Sequence, residues 1–162
     1  MSSRVPLLLL VLAASAPLIA QTRLEVGVSI GQQSYASSAD DPRVLTGMDF
    51  LAAGNTFGAH VAGEYADLSE EGALVAVHVD GVYRREWASG FSFLAGAGPS
   101  IISIGSSSLS WNAELEVARR LGRWSILARL RQYDFDLPRD REGEAGPAGP
   151  AVYVGTRIAL RR

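Results

Sequence analysis

The chain has 162 residues, 48% of them apolar, and a formal charge of −2. That length fits one domain, and the slightly acidic balance excludes a general nucleic-acid binder, which needs a basic face. With no cysteine, disulfides, thiolate metal sites and thiol nucleophiles are excluded as well. Every basic side chain is arginine, because the sequence has no lysine, so any basic group facing a carboxylate can bind it through two parallel hydrogen bonds.

Residues 1–20 read as a secretory signal peptide. Met1 to Arg4 gives a short positive end, Val5 to Ala16 an apolar run, and Pro17-Leu18-Ile19-Ala20 a cleavage region, with the cut expected after Ala20. The run is short for a spanning helix. No sustained apolar helix follows it, so any later membrane crossing must use strands.

From Gln21 onward apolar side chains alternate with period two. That pattern gathers them on one face of a strand, whereas a helix would scatter them around its axis. Leu24, Val26, Val28 and Ile30 predict a strand over 24–33, and Met48, Phe50 and Ala52 one over 44–52. Phe57, Val61 and Tyr65 carry 55–66, and Val75, Val77, Val79 and Tyr83 carry 73–85. Phe91, Phe93, Ala95 and Ala97, with glycines opposite, mark 91–104. Trp111, Ala113, Leu115 and Val117 mark 110–121. Trp124, Ile126, Ala128 and Leu130 mark 124–136, and Val152, Val154, Ile158 and Leu160 mark 151–160. About eight strands are predicted.

The connections alternate in length. Ala53-Gly54, Glu86 to Gly90 and Gly122-Arg123 are tight, while 34–43, 67–72, 105–109 and 137–150 are polar and mostly longer. A barrel that spans a membrane has this rhythm, with its short turns on the periplasmic side. Ser106-Ser107-Ser108 reads as a flexible, solvated connection. Phe50, Phe57, Tyr83, Trp87, Phe91, Phe93 and Trp124 fall near the short turns. Tyr35, Tyr65, Trp111, Tyr133, Phe135 and Tyr153 fall near the long loops, as rings at two membrane–water boundaries would.

The closing segment, Tyr153-Val154-Gly155-Thr156-Arg157-Ile158-Ala159-Leu160, resembles the terminal-strand signal of bacterial outer-membrane barrels. Gly155 is followed at fixed spacing by the alternating Ile158 and Leu160, although the last hydrophobic is not aromatic and Arg161-Arg162 follow it. Leu94-Ala95-Gly96-Ala97-Gly98 is similar to the Gly/Ala-rich rising strand of small OmpA-like and OmpX-like barrels. The resemblance implies an all-β fold, a closed antiparallel up-and-down transmembrane β-barrel over residues 21–162, located in the bacterial outer membrane. Its implied partners are outer-membrane lipid and the barrel-assembly machinery, which would read Gly155, Ile158 and Leu160. No extracellular partner is identifiable.

If the apolar faces look at lipid, the opposite faces define a lumen. It would collect Glu64, Asp80, Glu114 and Glu116 with Arg84, Arg129, Arg131 and Arg157. Glu114 and Glu116 share one face of a strand, as do Arg129 and Arg131 on the next, and the tight turn between them can set the pairs opposite each other. An ion path or gate would use such groups. A salt-bridged plug is the stronger expectation, because eight strands leave an interior just wide enough for side chains. His60 and His78 are expected inward, with no settled third metal ligand. His78-Val79-Asp80 has no convincing nucleophile beside it, and Gly96-Ala97-Gly98 lies in a strand pattern rather than a phosphate loop. The leading expectation is a non-enzymatic outer-membrane barrel without cofactor or metal, serving a structural or surface-interaction role. The alternatives are a small-solute pore, a lipid-modifying barrel enzyme and a soluble periplasmic lipocalin-like binder.

Overall fold

The computed structural model describes residues 22–33, 43–67, 73–104, 106–134 and 150–161. The expected signal peptide, nearly all of the loops at 34–43, 67–72 and 137–150, and the belt aromatics Tyr35 and Phe135 lie outside them. Eight strands follow in chain order: β1 (Arg23–Gln33), β2 (Arg43–Ala53), β3 (Phe57–Asp67), β4 (Ala73–Glu86), β5 (Phe91–Ile104), β6 (Ser106–Leu121), β7 (Trp124–Asp134) and β8 (Ala151–Arg161). Each pairs antiparallel with the next, and β8 pairs with β1, so the sheet closes into a barrel. Closure leaves no sheet edge and satisfies the backbone ladder all the way round. Among the described residues no helix is long and apolar enough to cross a membrane.

Local chemistry fixes the tight ends. Trp87 to Gly90 closes the β4–β5 hairpin through Gly90 N–H to Trp87 O at 2.9 Å and Trp87 N–H to Phe91 O at 2.9 Å. Gly90 takes φ +81°, the left-handed conformation that such a turn needs and that only glycine adopts at little cost. Gly122, at φ +69°, does the same between β6 and β7.

The β5–β6 connection corrects one expectation. Residues 106–109 do not form a loop: Ser106 to Leu109 belong to β6, and Ile104↔Ser106, Ser103↔Ser107 and Ile102↔Ser108 are paired; residue 105 lies outside the described residues. Serine is turn-prone in isolation, but β5 offers a ready ladder partner for every residue of this run.

Alternation sets the radial order. Along β4 the odd residues from Ala73 to Arg85 are exposed and the even ones from Leu74 to Arg84 buried. Val77, Val79, Val117, Ile126, Leu130, Val152 and Val154 all point outward, while the largest fully buried side chains include Arg131, His60, His78, Gln33 and Glu114. Large apolar side chains outside and ionic groups inside reverse the order of a protein folded in water. An apolar exterior around a polar interior is the order that a lipid solvent imposes.

Candidate functional site

Among the described residues, chemistry-bearing side chains converge in the interior. Six buried carboxylates there, Glu25, Asp49, Glu64, Asp80, Glu114 and Glu116, face four buried guanidiniums, Arg84, Arg129, Arg131 and Arg157. Carboxylates outnumber these guanidiniums, and the remaining partners are Arg23, which pairs with Glu25 at 2.8 Å, together with histidine, tyrosine and asparagine.

The β6–β7 register places Glu114 opposite Arg131 and Glu116 opposite Arg129. Arg131 Nη2 donates to Glu114 Oε2 at 2.6 Å and its Nη1 to Glu64 Oε1 at 2.5 Å, bridging β7 to β3 across the lumen. Arg129 Nε donates to Glu116 Oε2 at 3.0 Å and Nη2 to Asp49 Oδ2 at 2.8 Å. Arg157 on β8 donates Nε to Asp49 Oδ1 at 2.6 Å and Nη2 to Glu116 Oε2 at 2.9 Å, and its Nη1 also bonds Glu116. Arg84 lies apart from these three. Its Nη1 donates to Glu25 Oε1 at 3.0 Å near the short turns.

His60 links the two central groups. Its Nδ1 lies 2.6 Å from Glu114 Oε1, and Arg157 Nη2 lies 3.2 Å from its Nε2. Guanidinium can only donate and carboxylate only accept, so this geometry assigns the ring hydrogen to Nδ1. Asp80 accepts from Asn112 Nδ2 at 2.8 Å and lies 3.4 Å from Arg131 Nη2.

Toward the longer loops, Glu64 Oε2 accepts the Tyr153 hydroxyl at 2.7 Å and also that of Tyr133. These tyrosines correct the expected belt: both lie inside the barrel, not at a membrane boundary. Tyr133 shares the parity of Arg131, and Tyr153 that of Arg157, so both point inward, where Glu64 supplies an acceptor. Gly31 makes room for Tyr153, since a Cβ at that position would stand 2.3 Å from the ring. Phe57, Trp87, Phe91, Trp111 and Trp124, expected in the belts, are exposed.

The structure thus brings Glu64, Asp80, Glu114, Glu116, Arg129, Arg131 and Arg157 into one network and keeps Arg84 with Glu25 in a second. Asp49 and Glu25 were missed as lumen residues, although their parity against Met48–Phe50 and Leu24–Val26 was there to read. Gly155, Ile158 and Leu160 sit on β8, with Leu160 exposed.

Two arrangements have the composition of reactive sites. His60, Asp80 and Glu114 offer ligand atoms within 4.8 Å of one another. Arg131 already holds both carboxylates, so a metal ion there would stand against a guanidinium; the donor set fits the chain's own cation better. Ser100, which sequence reasoning did not place beside His78, has its Oγ 2.8 Å from His78 Nδ1, and Glu64 Oε2 lies 3.4 Å from His78 Nε2. Serine, histidine and glutamate in that order resemble a nucleophilic triad. All three are buried, however, and Ser100 Oγ also accepts from Asn112 Nδ2 at 2.9 Å. The group faces the packed interior and offers no approach from the lipid side.

Buried apolar clusters flank the network. Leu45, Ala66, Leu74, Ala76, Ile102 and Ala151 pack with the two tyrosines toward the longer loops. Leu51, Ala53, Val82 and Leu94 pack toward the short turns. An ion crossing this interior would have to leave water, displace paired groups and pass apolar side chains at each end.

Neither a family model nor a curated protein sequence matches the chain. Solved structures do match in shape. Neisserial surface protein A is 12% identical with a TM-score of 0.53, over 86% of this chain and 97% of that one. The Yersinia pestis outer membrane protein Ail in a phospholipid bilayer nanodisc is 10% identical with a TM-score of 0.56, over 86% and 99%. The N-terminal β-barrel domain of Pseudomonas aeruginosa OprF is 12% identical with a TM-score of 0.54, over 86% and 100%. Closed sheet, strand count and near-complete coverage agree: the chain has the fold of the small eight-stranded outer-membrane barrels.

Proposed function

We propose that the protein resides in the bacterial outer membrane as a non-enzymatic barrel with a closed, ion-paired interior. In this reading residues 1–20 direct export and are removed near Ala20, and the strands then cross the bilayer. The longer loops present the surface that meets other molecules, and the terminal residues Gly155, Ile158 and Leu160 engage the assembly machinery. The observation that carries the reading is the inverted radial order, with an exposed apolar wall around an ion-paired core. The likeness in fold to an outer membrane protein and a surface protein supports it. The packed interior argues against the pore reading, and the buried histidines argue against lipid modification.

Electrophoretic mobility of the mature protein from outer membranes, boiled against unboiled in detergent, tests the location and the closure together. A compact unboiled band that shifts on boiling is expected, with no steady conductance in planar bilayers. A protein that stays soluble without detergent and shows no shift would end the membrane reading. Stable conductance would end the closed-interior reading.

A further inference from the structure

The wall of the barrel is not uniform. Resting on the membrane reading above, we infer that the wall beside the short turns of β4–β7 binds anionic phospholipid headgroups through Arg85 and Arg119. Both side chains are exposed on the outward face, at odd positions that alternate with the lumen residues. Arg119 is paired in register with Phe91, and its guanidinium lies 5.2 Å from the centre of that ring. Arg85 is paired with Phe93, and its guanidinium lies 5.8 Å from the Trp87 ring. The two arginines therefore flank β5 on a platform of Trp87, Phe91 and Phe93, with Trp124 beyond on β7.

Three observations select an anionic lipid as the occupant. Charge comes first: among the described residues no carboxylate pairs with either arginine. Glu86, an exposed acidic side chain of the turn end, is taken by Arg120 at 2.8 Å and stands 3.5 Å from Arg23 and Arg84. Depth comes second. Both arginines sit at the aromatic boundary, where a long side chain can lie along apolar surface and carry its charge to the headgroup level. Chemistry comes third, because guanidinium matches a phosphate with two parallel donors and its π contact leaves those edge donors free. Among the described residues the opposite end differs: Leu109, Trp111 and Val152 are exposed there, and Asp67 also faces outward. The basic wall thus belongs to the leaflet beside the short turns.

The test measures lipid selectivity of the whole mature protein in dimyristoylphosphatidylcholine vesicles. Spin-labelled phosphatidylglycerol is compared with spin-labelled phosphatidylcholine at the protein surface. Wild type is expected to prefer phosphatidylglycerol by about fivefold, the scale of one arginine near an anionic surface. Arg85→Gln with Arg119→Gln is expected to bring the ratio to about one while the boiling shift is retained; substitution of Asp67 by Asn, at the other rim, should leave the ratio unchanged. A wild-type ratio of about one, or selectivity that survives in the double variant, would overturn the inference. Failure of wild type to enter the vesicles or to show a boiling shift would instead count against the membrane reading.

Discussion

At the scale of the residue, Arg131 shows how this interior is held. It is fully buried, and its guanidinium bonds Glu64 and Glu114 while standing 3.4 Å from Asp80. An ion taken out of water loses its hydration, and only near-complete pairing offsets that loss. Removing the cation alone leaves carboxylates without a counter-charge. Arg131→Met should therefore destabilise the barrel by about 3–5 kcal/mol. Glu114→Gln in the same background should add less than it costs in wild type, because one of its two close partners is already gone while His60 remains. Urea unfolding in lipid vesicles, followed by tryptophan fluorescence, reads both costs. Strict additivity would show that the two groups are not coupled.

At the scale of the element, the strands are the most legible feature of the sequence and the hairpin ends the least. Period-two alternation locates all eight strands, because each has one apolar and one polar or small face. It fails at Ser106–Ser108, where neither face is marked and composition points to a loop, while pairing with β5 decides the outcome. The same alternation turns Tyr133 and Tyr153 inward, although both also lie close to strand ends, where boundary rings collect. Long-range pairing was beyond reach. Arg131 to Glu64 and Arg157 to Asp49 join residues far apart in sequence, and only barrel closure brings them together. Turn glycines, by contrast, are local. Gly122 has φ +69° with open space around an added Cβ, so Gly122→Ala tests conformation without a clash. The substitution should lower stability by about 1–2 kcal/mol, the cost of left-handed backbone for an ordinary residue. Gly63→Ala, with equally open space and no positive φ, serves as the control. Equal urea midpoints for the two variants would contradict the assigned turn.

At the scale of the whole molecule, the question is which solvent the wall meets. Val77 and Leu115 are exposed in mid-strand: Val77 is paired with Gly63 and Ile101, and Leu115 with Ala95 and Leu130. In water an arginine at either place would be harmless or helpful to solubility. In a bilayer the same side chain would lie near the midplane, where it costs about 2–4 kcal/mol, against about 0–1 kcal/mol near the interface. Val77→Arg and Leu115→Arg should therefore each impair insertion, whereas Ser107→Arg, on the exposed face of β6 close to the longer loops, should be tolerated. Folding yield in vesicles, read by the boiling shift, measures all three. Depth separates the solvents: a lipid-facing wall gives a loss that grows toward mid-strand, and a water-facing wall gives no gradient. Normal assembly of both mid-strand variants would mean that these apolar rows do not meet lipid, and the ionic core would then need another explanation.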